Sequence, residues 1–144
     1  MAKEVSIFLE NKVGHFERIT SILKMNRINI LSMSLNDTAN GWGILKLLVN
    51  HPEKAFDALS ENGISVALRD VIVIEIKDET GGLNELLEKV AHAKINFNNA
   101  YGRCIKENKT AILILDVPDF QESVKKLTEH GIKIISDEKV YGNL

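Results

Sequence analysis

The chain is poor in several features that mark specialised proteins. It has one cysteine, Cys104, in 144 residues, which rules out an internal disulfide scaffold and fits a reducing compartment. Its charges nearly cancel, with 18 Lys and Arg against 20 Asp and Glu, a formal net charge of −2 and a pI near 6.1. That balance argues against a nucleic-acid tract and, with 44% hydrophobic residues, against disorder. The longest uncharged apolar runs, such as Ala111–Leu115, fall far short of the roughly 20 residues a membrane helix needs. Met1-Ala2-Lys3-Glu4 leads straight into a strand-like pattern, so neither a leader nor a membrane segment is expected, and the expected location is cytoplasmic. What remains is ordinary globular composition. A chain of this length buries roughly 68–70% of its unfolded surface, as one domain or as two small ones.

An internal repeat decides for two. With the halves overlaid at a constant spacing, Val5, Ile7 and Leu9 fall on Ile72, Ile74 and Ile76. Asn11 then falls on Asp78, Gly14 on Gly81, Phe16 on Leu83, and Ile19 and Leu23 on Leu86 and Val90. Ile28-Asn29 falls on Ile95-Asn96 and, after a one-residue insertion, Phe56, Leu59, Gly63 and Ile64 fall on Val124, Leu127, Gly131 and Ile132. The order of apolar, Gly and Asn positions is kept although few identities are. The expected units are residues 1–69 and 70–144. No Gly/Ser/Pro-rich linker separates them.

Each copy carries the same pattern. Glu4–Glu10 alternates with period two, as a half-buried strand does. Phe16, Ile19 and Leu23 recur at helical spacing, as do Leu83, Leu86, Leu87 and Val90. Asn29 to Asp37 and Ile44–Val49 read as strands around an Asn40-Gly41 hairpin. In the second copy Lys106-Glu107-Asn108-Lys109 is the turn and Ala111–Val117 the strand. Pro52 and Asp119 open helices that stop at Gly63 and Gly131, and Ile64–Leu68 and Ile132–Ile135 are the last strands. The order is βαββαβ, twice. The expected class is α+β: two ferredoxin-like units, each a four-stranded antiparallel sheet with two helices on one face. Phe8, Val71 and Val73 lie on the face opposite the helices, and Ala111–Leu115 is apolar on both faces. A cover from the other copy or from another chain is therefore expected.

The loop between first strand and first helix is the candidate site. It reads Asn11-Lys12-Val13-Gly14-His15-Phe16 in one copy and Asp78-Glu79-Thr80-Gly81-Gly82-Leu83 in the other. The glycine allows a tight turn and close approach of a ligand to the main chain. The helix behind it offers unpaired N–H groups and a positive dipole end that suit a carboxylate. Asn11 or Asp78 can accept from an ammonium group, and Asn29 or Asn96 can add an amide. The competing reading is that Asn11 and Asp78 merely cap the helix while the glycine makes the turn.

These residues give the chain a resemblance to a tandem pair of ACT domains, small modules that bind amino acids and regulate metabolic proteins. The family pattern is Asn/Asp-x-x-Gly-x-Leu followed by a helix and a Gly-x-Asn-Ile-like segment. Here it runs as Asn11–Phe16 with Arg27-Ile28-Asn29-Ile30, and as Asp78–Leu83 with Lys94-Ile95-Asn96-Phe97. The sequence departs from the pattern at Val13 and Thr80, where a Pro is frequent. Phe16 replaces Leu, and Arg27 and Lys94 stand where Gly precedes the Ile-Asn pair. The resemblance implies a non-catalytic sensor whose effector, a free amino acid, is held at the unit interface. It implies ligand contacts from Asn11, Lys12, Val13, Gly14, His15 and Asn29, and from Asp78, Thr80, Gly81, Gly82 and Asn96. It also implies a homodimer or a metabolic-enzyme partner.

Other chemistry finds little support. The four histidines have no helical metal-ligand spacing, and one cysteine cannot form a thiolate cluster, so no metal and no cofactor are expected. Gly41-Trp42-Gly43 lacks the third glycine and helix of a dinucleotide fingerprint, and Trp42 is expected to pack at a hairpin end. RNA-recognition modules share the element order but stack bases on strand aromatics, which Ile44–Val49 and Ala111–Val117 do not contain.

Overall fold

The computed structural model describes residues 1–38, 40–107 and 109–141. They form two compact units, one from Lys3 to Arg69 and one from Asp70 onward that also takes in Met1–Ala2.

The first unit runs β1 (Lys3–Glu10), α1 (His15–Met25), β2 (Ile30–Asp37), β3 (Trp42–Val49), α2 (Pro52–Glu61) and β4 (Ser65–Asp70). Its sheet has the order β2-β3-β1-β4. The antiparallel register pairs Val5 with Leu47 and Ile7 with Leu45, so the period-two alternation sends these residues to one face. There they meet Ile19, Ile22 and Leu23 of α1 and Ala55, Ala58 and Leu59 of α2. Each large side chain buried in this way contributes about 1.5–3 kcal/mol.

The second unit repeats the plan with β5 (Ile72–Lys77), α3 (Gly82–His92), β6 (Asn99–Lys106), β7 (Thr110–Asp116) and α4 (Phe120–Glu129). Its sheet has the order β5-β7-β6. At the fourth position, where Ile132–Ile135 reads as a strand, one bridge joins Ile74 to Ile134 and the Ile135 N–H donates to the Val73 carbonyl at 2.8 Å. The pairing stops there because the apolar run gives way to Ser136-Asp137-Glu138. These residues open the short helix α5 (Asp137–Tyr141), whose first-turn acids suit a helix N-terminus. In the turn before β7 the Lys109 N–H reaches the Lys106 carbonyl at 2.9 Å. Asn108 of that turn, like residues 142–144, lies outside the described residues.

The faces away from the helices differ in exposure. Val71 and Val73 are buried, whereas Phe8 is 49% exposed. Strand β3 begins at Trp42, earlier than the sequence pattern places it, and so puts an aromatic residue on a central strand. The Trp42 and Phe8 rings lie parallel with centroids 4.8 Å apart, so each covers a face of the other.

All of α1 to α4 end in the same way. The N–H groups of Ile28, Ile64, Ile95 and Ile132 reach back to the carbonyls of Leu23, Leu59, Val90 and Leu127 at 2.9, 3.0, 3.3 and 3.0 Å. These are the six-to-one bonds of Schellman caps, and the isoleucines pack into or against the cores. The residue before each isoleucine must be left-handed. Gly63 and Gly131 adopt φ 75 and 72 without a side chain, but Arg27 and Lys94 are held at φ 56. A left-handed residue with a Cβ costs about 1–2 kcal/mol, part of which a glycine loses again through its freer unfolded chain. Arg27→Gly and Lys94→Gly should therefore each stabilise the protein by about 0.5–1 kcal/mol, raising Tm by roughly 2–4 °C in calorimetry. An unchanged or lower Tm would show that these positions carry no strain.

Candidate functional site

Gly14 and Gly81 stand at the helix entrances with the same left-handed backbone, φ 86 in both. Each is the N-cap of its helix, and neither helix has a side-chain cap. The competing role for Asn11 and Asp78, that of helix cap, is thus not the one they play. The loop tightens instead by main-chain bonds, His15 N–H to Lys12 O at 3.2 Å and Gly82 N–H to Glu79 O at 3.0 Å. The next amides of each helix, at Phe16 and Glu17 and at Leu83 and Asn84, point out of the helix end with the positive dipole behind them. Gly82 is further constrained, because a Cβ there would come within 2.2 Å of the Lys77 carbonyl oxygen.

Asn11 and Asp78 tie their loops to the neighbouring strands. The Asn11 N–H donates to Gly41 O at 2.7 Å and the Asp78 N–H to Lys109 O at 3.1 Å. The Asn11 amide also donates to Asp37 Oδ2 at 3.3 Å, while Asp78 Oδ2 accepts from Cys104 Sγ at 3.5 Å. Asp37 and Cys104 occupy matching repeat positions, so one contact is kept with donor and acceptor exchanged. Sequence reasoning missed both residues, although the repeat spacing that links Asn11 to Asp78 also links Asp37 to Cys104. Of the other loop residues, Lys12 pairs with Glu10 at 2.9 Å, His15 Nδ1 lies 2.9 Å from Glu10 O, and Val13 and Thr80 are exposed.

Asn29 and Asn96 are not brought to these loops within their own units. Asn11 sits beside Gly41 before β3, and the Asn29 N–H bonds to Asn50 Oδ1 after it at 2.9 Å. The 8 residues of β3 between them span roughly 25 Å. In the second unit Asp78 lies beside Lys109 at the start of β7. Asn96 lies beyond its far end, near Asn98, whose N–H bonds to Asp116 O at 2.8 Å.

Next to the first loop is a cavity of about 300 Å³. Its polar wall carries Glu10, His15 and Arg18, and its apolar wall Phe8, Ile19, Trp42 and Ile64. Arg18 donates to the Asn62 carbonyl at 2.9 Å and has no carboxylate partner among the described residues. Asn29 lines a separate open hollow of about 590 Å³ with Thr20, Ser21, Lys24 and Arg27. Among the described residues no cluster of His, Cys, Asp and Glu could hold a metal ion, and no helix is long and apolar enough to cross a membrane.

Residues 1–142 match the family model of an ACT domain pair. The chain belongs to that family. No curated protein sequence matches it. Among solved structures this ACT pair is similar to a protein from Bacteroides thetaiotaomicron, with 27% identity over 97% of this chain and 95% of that one and a TM-score of 0.87. The fold is shared with the regulatory subunit of aspartate kinase from Thermus thermophilus, at 11% identity, 89% and 91% coverage and a TM-score of 0.64. It is shared too with the alpha and beta subunits of an aspartokinase, at 14% identity, 90% and 91% coverage and a TM-score of 0.59. Within the ACT pair, Arg27 and Lys94 replace the pattern glycine at the positions where the backbone is left-handed.

The exchanged contact at the second loop has a measurable consequence. Desolvation, then the hydrogen bond to Asp78 and its negative charge, hold the Cys104 thiol above the usual thiol range. The thiol is therefore protonated at neutral pH and a weak nucleophile. Asp78→Asn removes the charge that disfavours the thiolate, so maleimide labelling of Cys104 at pH 8 should become several-fold faster. An unchanged rate would mean that the two side chains do not interact.

Proposed function

We propose that this ACT pair is a non-catalytic, cytoplasmic amino-acid sensor whose effector binds at the first strand–helix loop. The observation that carries this reading is the helix entrance at Gly14, bare of any side-chain cap and adjoining a cavity of about 300 Å³ with an uncompensated guanidinium. In this reading the α-carboxylate takes the Phe16 and Glu17 amides and Arg18, and the ammonium group takes Glu10 and the side-chain oxygen Asn11 Oδ1. Phe8, Ile19, Trp42 and Ile64 then meet an apolar side chain. Lys12, Val13 and His15 shape the rim. At the second loop Asp78 and Thr80, with Gly81 and Gly82, form the related set. Asn29 and Asn96 lie too far from the loops of their own units to touch the same ligand, so their part would come through a second copy in a homodimer.

Regulation follows if the bound and free forms differ in affinity for a partner, since an effector shifts an equilibrium only by its differential binding. Control of a metabolic enzyme is the second reading. It is supported by the fold shared with the regulatory subunit of aspartate kinase. No convergent nucleophile, base and metal set among the described residues supports catalysis.

A thermal-shift series with each of the twenty amino acids at millimolar concentration tests the sensor. A ligand at ten times its Kd stabilises by about 1.4 kcal/mol, so one or a few apolar amino acids should raise Tm by roughly 2–5 °C. The exposed-site variant Asn11→Ala and the variant Arg18→Ala should each remove that rise while leaving the unliganded Tm nearly unchanged. The absence of a shift with all twenty would end the reading.

A further inference from the structure

The second unit carries a cavity at the place equivalent to the one beside Gly14, but with different chemistry. In repeat register, Leu9, Ile19, Gly63 and Ile64 of the first cavity correspond to Ile76, Leu86, Gly131 and Ile132, all of which line the second. The floor is thus the same in both units, apolar and formed by the first strand, the first helix and the segment leaving the second helix. The walls have changed. Glu10 is replaced by Lys77, Trp42 by Thr110 and Ser65 by Lys133, and Lys89 and Lys139 join the lining.

The space has changed as well. It measures about 600 Å³ against about 300 Å³ in the first unit. The cause is the edge of the sheet. In the first unit β4 runs beside β1, whereas among the described residues β5 is held at that edge by the Ile74–Ile134 bridge and the Ile135–Val73 bond. The backbone from Glu75 to Lys77 is left open toward the cavity. Of the lining cations, Lys139 is paired with Glu75 at 3.4 Å. Lys77, Lys89 and Lys133 have no acidic partner among the described residues. A hollow of this volume with an apolar floor and lysines in its lining has the form of a small-molecule site.

We infer that the second unit holds a separate site for a small amphipathic dianion, a phosphate monoester or dicarboxylate carrying a short apolar body. The apolar body lies on Ile76, Leu86 and Ile132, and the head is held by the ammonium groups of Lys77, Lys89 and Lys133. Three uncompensated cations match a doubly charged head better than the single carboxylate of a zwitterion, whose ammonium group they would repel. The two units of the pair therefore read different compounds. The inference does not rest on the amino-acid reading of the first loop, because the residues involved belong to the other unit.

Hexyl phosphate serves as the probe, with inorganic phosphate and hexanol as its separate halves. On the full chain labelled at Ile and Leu methyl groups, hexyl phosphate should shift the signals of Ile76, Leu86 and Ile132 saturably. Phosphate alone or hexanol alone should bind at least tenfold more weakly. Lys77→Gln combined with Lys133→Gln, both on exposed side chains, should weaken hexyl phosphate at least tenfold while leaving the unliganded spectrum folded, and higher salt should weaken it too. The inference is overturned if hexyl phosphate causes no saturable shift, if hexanol binds as well as hexyl phosphate, or if the double variant binds unchanged. Neither result bears on the amino-acid series, which reads the Gly14 loop.

Discussion

The structure depends on a single backbone constraint used twice, the left-handed glycine that turns the first strand of each unit into its first helix. At Gly14 and Gly81 the chain must reverse within a few residues, and φ 86 is open to glycine at little cost. Because the glycine itself occupies the N-cap, no side chain there can satisfy the helix amides. The same turn that packs Ile19 or Leu86 onto the sheet leaves donors at the surface of the molecule. Fold and candidate chemistry are therefore one geometric event, and a side chain at Gly14 would disturb both.

Duplication kept this constraint and released others. The Asn11–Asp37 and Cys104–Asp78 contacts join the same two places in each unit with opposite polarity. The last strand of the first unit is shortened to a bridge in the second, and charges gather where that edge opens. Core positions changed little because each must fill a fixed volume against its neighbours. Rim positions changed freely because exposed side chains carry little of the folding energy. Two copies of one scaffold thereby came to present cavities of different chemistry.

Much of this was legible in the chain. The alternation at Val5, Ile7 and Leu9 and the stripe at Leu86, Leu87 and Val90 locate strands and helices because burial imposes those periods. Gly63 and Gly131 mark helix ends because a left-handed residue is required there. The same requirement at Arg27 and Lys94 was hidden, since neither side chain announces a left-handed backbone. The stack of Phe8 on Trp42 and the pairing of Asp37 with Asn11 depend on strand register, which local sequence does not encode. The separation of Asn11 from Asn29 is likewise a matter of which end of β3 each adjoins. A motif read along the chain places them together, whereas the fold puts a full strand between them.

The central claim is that the uncapped entrance of α1 receives an amino acid. Its most direct measurement is amide NMR of the full chain titrated with the amino acids. The account predicts that the Gly14, His15, Phe16 and Glu17 signals move together and saturate with at least one of them. Signals at these four amides that stay in place with all of them, or movement confined to other parts of the chain, would contradict it.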